Sequence, residues 1–274
     1  VIELTDTHCH IQEAVQKPSV QNGVQGKWAK AGFASPIPII AAACDVGVTR
    51  LIAVGTTTPD SEQAVALAAS EHHVWASIGI HPHEADTHLA DKDLLQRFIA
   101  LVTKLKVVAV GECGLDYFYG YSSNSGQKKL LRLQLDIAAE HNLPLIFHVR
   151  DAFDDFWPIF DEYKGLRGVI HSFSATEKEL EQILSRGLYV GLNGIMTFTK
   201  RKEQLAAAKA IPLDKLLLET DAPYLTPAPN RGTICEPKHV RVTAEFLTQL
   251  RGESLAELAS ATTCNASSLF GLTE

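Results

Sequence analysis

Eight short apolar runs, each nearly uninterrupted, recur along this chain with helical patterns between them, and that alternation leaves few folds open. The runs are "IELTDTH", "RLIAVGT", "VWASIGIH", "KVVAVGE", "LPLIFHV", "GVIHSF", "LYVGLNG" and "KLLLETD". Runs that do not alternate with polar residues suit parallel strands covered on both faces. Between them, "SEQAVALAASEH", "DLLQRFIALVTKL", "QKKLLRLQLDIAAEHN", "KELEQILSRG" and "RKEQLAAAKA" read as amphipathic helices with Asp, Ser, Thr, Gly or Pro at their ends. Two more, "KHVRVTAEFLTQLRG" and "SLAELASATTCNASSLFG", follow the last run. Eight such βα units predict an α/β chain closed into a (β/α)8 TIM barrel, with an open doubly wound sheet as runner-up.

A length of 274 residues fits one barrel, so residues 1–274 read as a single domain without an internal boundary. Two connections stand out. Gln12 to Pro38 is polar and long for a first βα loop, and either shapes access to the carboxyl-terminal face or is a solvated excursion. "YGYSSNSGQ", Tyr119 to Gln127, reads as a second flexible loop.

No apolar stretch approaches the roughly 20 residues of a membrane span, and the opening residues lack the basic and apolar regions of a signal peptide. Five widely spaced cysteines without a C-x-x-C argue against disulfides or a thiolate zinc site and suit a cytoplasmic protein. A formal charge of −7 disfavours nucleic-acid binding through a broad basic surface. It leaves room for a nucleic-acid substrate held at a site whose cations offset the charge. Nothing in the sequence favours an oligomer, so a monomer is the default.

In a barrel the chemistry gathers at the carboxyl ends of the strands. Those ends carry His8 and His10, then His81, Glu112, His148, His171, Asn193 and Asp221. His8 and His10 are one residue apart, so on a strand both side chains leave the same face while Cys9 turns away. Each residue alone has a structural explanation, as a helix cap or a satisfied polar group. Imidazoles and carboxylates ending six strands of one ring point instead to metal binding. The set is too large for one metal with an open position and suits two divalent ions. Its donors favour zinc, manganese or iron over calcium, with magnesium possible if waters complete its shell. Cys9 and Cys113 read as core residues.

The motifs "DTHCH", "GIHPHE", "VGECGLDY", "LPLIFHVRDA", "VIHSFSAT" and "LLLETDAPYLTP" resemble, in order and spacing, those of the TatD family of metal-dependent deoxyribonucleases. The resemblance spans almost the whole chain. It implies a TIM-barrel hydrolase that cleaves DNA phosphodiester bonds at two divalent ions (Mg, Mn or Zn), often from 3′ ends or on single strands. It places His8 and His10 on the first metal, Glu112 between the two, and His148 and His171 on the second. Asp221 falls on the first metal as the group that orients the attacking water or takes its proton, and His81 lies near the substrate phosphate. The stretch "NRGTICEPKH" departs from the family pattern, with Thr233 and Cys235 where Lys and Asn are expected, which bears on phosphate contacts.

Arg150, two residues after His148, and Arg231, after the last strand, are candidate phosphate contacts, and Arg150 has an ion pair with Asp151 or Asp154 as its alternative. Lys200, Arg201 and Lys202 form a local basic run, and Tyr117, Phe118, Tyr119 and Tyr121 could stack on unpaired bases or pack their own loop. An amidohydrolase-type enzyme cleaving an amide, ester or lactone is the competing function. Many such enzymes bridge their metals with a modified lysine, and the resemblance places Glu112 there instead.

Overall fold

A computed structural model describes residues 2–16 and 23–272. Eight strands form one parallel sheet in the order in which they occur in the chain: β1 (Leu4–Cys9), β2 (Val48–Val54), β3 (Val74–Ile78), β4 (Val107–Asp116), β5 (Leu145–Arg150), β6 (Gly168–Ile170), β7 (Tyr189–Leu192) and β8 (Leu216–Leu218). The last strand returns to the first. The Thr7 hydroxyl donates to the Leu218 carbonyl at 3.0 Å, Asp221 N–H to His8 O at 2.8 Å, and His10 N–H to Ala222 O at 2.8 Å. Consecutive parallel strands with helices between them, and a first strand bonded to the last, make the predicted (β/α)8 barrel.

Contacts group the chain into two compact units, Val1–Ala53 with Ser172–Ser268 and Val54–His171 with Leu269–Leu272. In the first, Leu4, Leu51, Ile52, Val190, Leu192 and Leu217 are fully buried strand residues. In the second, Ile78, Val110, Leu145 and Phe147 serve the same purpose. Burial of each such side chain contributes roughly 1.5–3 kcal/mol, so the near-continuous apolar strands are the main source of cohesion.

Helix ends follow local chemistry. Helix Thr58–Ser70 starts where the Thr57 side chain accepts Asp60 N–H. Helix Asn124–His141 starts where Ser123 accepts Gly126 N–H and stops at Asn142, whose φ of 52° is tolerated by an asparagine. That start shortens the flexible loop expected over Tyr119 to Gln127. Helix Phe153–Phe160 was not legible because it is short and carries Pro158 inside it. Two further helices, Val24–Lys30 and Ile37–Asp45, fall in or beside the long first loop. Trp28 of that loop is fully buried, and its indole N–H donates to the His10 carbonyl at 3.0 Å. The loop is therefore anchored beside β1 through Trp28, while most of its residues from Gly23 to Pro38 stay exposed; residues 17–22 lie outside the described residues. Among the described residues, no helix is long and apolar enough to cross a membrane.

The glycines of "GECG" answer to packing against β5. A Cβ on Gly114, at φ 150°, would meet the His148 carbonyl oxygen at 1.9 Å, and one on Gly111, at φ 149°, would meet Ile146 O at 2.4 Å. The motif's small residues thus let β4 lie close to β5, the strand that carries His148.

Candidate metal centre

β1 and the turn after β8 build one ligand cluster. His8 and His10 leave β1 on the same side, with their Nε2 atoms 3.2 Å apart. Asp221 Oδ1 lies 3.3 Å from His10 Nε2 and 3.8 Å from His8 Nε2. For metal–ligand bonds of about 2.0–2.1 Å, the edge of a tetrahedral site is roughly 3.3–3.4 Å. Three donor atoms at these separations therefore fit the face of a single divalent ion. Asp221 takes a left-handed φ of 60°, fixed by its own N–H on His8 O and by its carbonyl accepting Tyr224 N–H. Cys9, between the histidines, is fully buried with its thiol on Ile52 O, away from the cluster.

Behind this cluster lies Asp6, a buried carboxylate that sequence reading passed over. It accepts from Thr220 Oγ1 at 2.6 Å, Thr220 N–H at 2.9 Å and His8 N–H at 3.2 Å. Burial pushes its carboxyl up to about 8, against the opposing pull of the Thr220 and His8 bonds. The residue ties β1 to the segment that carries Asp221, so the spacing of the three ligands is set by backbone and by one hidden side chain.

The second cluster centres on one oxygen. Glu112 Oε1 lies 2.8 Å from His148 Nδ1, 3.6 Å from His81 Nε2 and 3.7 Å from His171 Nε2. The four residues come from β3 through β6 or the turns that follow them. Ligand atoms of His81, Glu112 and His148 all lie within 4.8 Å of one another. His81 differs from the others. Its Nδ1 accepts His83 N–H at 3.2 Å, which places its ring proton on Nε2, facing Glu112. It is thus arranged as a donor rather than a ligand, and burial holds its pKa well below the usual imidazole value.

Asp116, at the end of β4, is the residue the sequence pattern misses most plainly, because the apolar run ends at Glu112 while the strand continues to Asp116. Its Oδ2 lies 3.0 Å from His148 Nε2 and 3.0 Å from His83 Nε2. Its Oδ1 accepts the N–H groups of Phe118 and Tyr119. Burial would raise its pKa, but the bonds to His148 and His83 hold it well below the usual carboxylate range. Burial likewise opposes charge on His148, and the bonds to Asp116 and Glu112 outweigh it and raise its pKa. A carboxylate on the far nitrogen of an imidazole is the usual device for orienting a metal-binding histidine. The "GLDY" that follows Glu112 was the available signal.

The remaining expected residues have partners outside these clusters. Arg150 sits over the rings of Phe118 at 4.0 Å and Tyr119 at 4.9 Å; among the described residues it forms no ion pair with Asp151 or Asp154. Arg231 covers the Phe198 ring at 3.7 Å and donates to Thr226 O. Asn193 caps its own turn and donates to Ser172 Oγ and buried Glu219. In the basic run, Arg201 pairs with Glu203, and Lys202 opens helix Lys202–Ala210. Tyr117 is tied to Asp155 at 2.8 Å and so packs its loop. Cys235, at the departing position, is buried, as is Cys113.

A (β/α)8 chain with imidazole and carboxylate donors grouped at its strand ends defines a metal-dependent hydrolase of the TIM-barrel class. A family profile described as "TatD related DNase" matches residues 5–271. The chain belongs to the TatD family. The 3′-5′ ssDNA/RNA exonuclease TatD of Citrobacter rodentium is 37% identical over 245 residues, which cover 86% of this chain and 91% of that one. A metal-dependent hydrolase of Escherichia coli K12, uncharacterized by name, is 35% identical over 269 residues, 97% of this chain and 95% of that one. The crystal structure of a TatD homologue from Escherichia coli K12 superposes with a TM-score of 0.85 at 27% identity, covering 99% of each chain.

Proposed function

We propose that the chain is a metal-dependent nuclease that cleaves DNA at single strands or 3′ ends, with two divalent ions held by His8, His10, Glu112, His148, His171 and Asp221. One observation carries the reading. A single Glu112 oxygen faces three imidazoles at strand ends, in a chain whose curated relatives include 3′-5′ ssDNA/RNA exonucleases. The family match covers the residues of both clusters, which supports their serving one reaction. Magnesium, manganese and zinc all suit the donors. The family match crosses both compact units, which supports one catalytic domain. Five free cysteines support a cytoplasmic location.

Bound divalent ions would lower the pKa of water and offset charge on the phosphoryl oxygens. Asp221, whose side chain is 17% exposed, is the carboxylate within reach of solvent and accepts the proton of the attacking water. Glu112 holds the imidazoles of its cluster in common register. The His81 Nε2 proton, directed at Glu112, is available to a phosphoryl oxygen. Arg150 and Arg231, both exposed and each placed over an aromatic ring, are available to flanking phosphates. The amide- or lactone-cleaving alternative gains nothing from these features, since the family resemblance puts Glu112 where many such enzymes use a modified lysine.

The test is end-labelled single-stranded DNA, with an RNA arm, incubated with metal-stripped protein after addition of magnesium, manganese or zinc. Metal-restored cleavage that Glu112→Ala lacks is expected. Protein that binds metal yet cuts no nucleic acid under any of the ions would sink the nuclease reading.

A further inference from the structure

Beside the Glu112 cluster lies a group of rings that the chemistry above does not use. Phe118, Tyr119 and Tyr121 are 57%, 48% and 70% exposed, and they account for half of the six large hydrophobic side chains exposed among the described residues. Apolar surface concentrated in four successive positions is an interaction site more often than an accident. Tyr119 and Tyr121 lie nearly parallel, with ring centres 5.5 Å apart and planes 14° from each other. The His83 ring touches both edgewise, at 5.4 Å and 4.9 Å, and also touches His81 at 4.2 Å. The ledge is therefore two ring contacts from the imidazole that faces Glu112.

The ledge is held in place rather than free. Asp116 Oδ1 fixes the backbone N–H groups of Phe118 and Tyr119, and Oδ2 of the same carboxylate engages His83 and His148. Tyr117 N–H donates to Arg150 O, which pins the loop to β5, and Ser122 donates to His83 O at 2.7 Å. Arg150 lies over Phe118 and adds a cation at the edge of the rings. Parallel exposed aromatics, a guanidinium beside them and the Glu112 cluster two ring contacts away are the parts of a site that takes an unpaired base and its phosphate. A paired base offers no free face to such a ledge, so it also selects single strands.

We propose that Phe118, Tyr119 and Tyr121, with Arg150 at their edge, form a stacking subsite for an unpaired nucleobase of the substrate strand. The proposal rests on the nuclease reading, and binding separates it from that reading. The metal-loaded protein is titrated with a fluorescent, phosphorothioate-linked single-stranded oligonucleotide and with an abasic chain of the same length. Wild-type protein is expected to prefer the base-bearing chain. Stacking on one base is typically worth about a tenfold or larger affinity ratio. The double variant Tyr119→Ala/Tyr121→Ala is expected to bring that ratio close to one, and Tyr119→Phe/Tyr121→Phe to restore it, which separates stacking from loss of fold. A ratio that survives the alanine pair, or a wild-type protein that binds neither chain, overturns the subsite. Cleavage of the unmodified oligonucleotide is followed in parallel. If the ratio behaves as expected but nothing is cut, the nuclease reading falls and the subsite stands.

Discussion

The His8–His10–Asp221 cluster takes its ligands from two segments joined by backbone hydrogen bonds, whereas the Glu112 cluster gathers side chains from four successive strands around one oxygen. In the first the imidazoles are buried, with the side chains of His8 and His10 0% and 4% exposed, Asp221 alone reaches solvent at 17%, and buried Asp6 braces the cluster from behind. The second opens outward, through His83 and Asp116, to the exposed rings of Phe118 to Tyr121. Rigidity in the first comes from the backbone and the buried Asp6 carboxylate, and in the second from a chain of carboxylate–imidazole bonds. Changes in the first cluster should therefore register on metal and rate alone, and changes in the second on metal, rate and substrate together.

The largest effect belongs to Glu112. Glu112→Gln keeps the shape but removes the charge that three imidazoles share, so metal content should fall and kcat/KM should drop on the order of 10³-fold or more. Metal per chain by elemental analysis, measured beside turnover, checks this. A variant that keeps both would break the claim that one oxygen organises this cluster.

Asp221→Asn comes next. Loss of a positioned proton acceptor typically costs about 10²- to 10⁴-fold. If the two clusters are independently built, metal content should fall by less than in Glu112→Gln, because the Glu112 cluster is intact. Equal metal loss in the two variants would mean that the clusters assemble as one unit.

The same contrast separates what could be read in the sequence from what could not. His8-x-His10 was legible because strand periodicity alone puts both rings on one face. Glu112, His148, His171 and Asp221 were legible as polar endings of apolar runs. Asp116 was not, since β4 runs four residues past Glu112 and buries an acid that looked like part of a loop. His83 was hidden for a related reason: its partner is 33 positions away in the chain. Asp6 was masked by its place inside the first strand, where its bonds to Thr220 depend on sheet closure. The helix Phe153–Phe160 was lost to its internal proline. Pattern reading finds residues that repeat with the backbone, and it misses those defined by pairing between distant segments.

Asp116→Asn sharpens the comparison from the other side. The amide can still accept from Phe118 and Tyr119 N–H, but it no longer supplies the charge that orients His148 and His83. Losing such a supporting partner typically costs about 10- to 100-fold in metal affinity or activity. The loss should fall on the second cluster, so a metal titration should show one class of site weakened and the other unchanged. Uniform weakening would remove the distinction between the two.

The smallest effect tests the bracing of the first cluster. Trp28→Phe keeps most of the buried volume but removes the indole donor from the His10 carbonyl. Losing that hydrogen bond costs about 0.5–1.5 kcal/mol, which in a domain of this size lowers Tm by roughly 2–4 °C for each kcal/mol. Because Asp6 and the bonds from β1 to the Asp221 segment are untouched, the rate should change by much less than in Asp116→Asn. Thermal melting beside turnover checks this. A Trp28→Phe protein that melts like wild type but loses activity tenfold would show that the His10 backbone is positioned by the first loop as well as by the sheet, and the first cluster would then depend on a side chain outside the barrel strands.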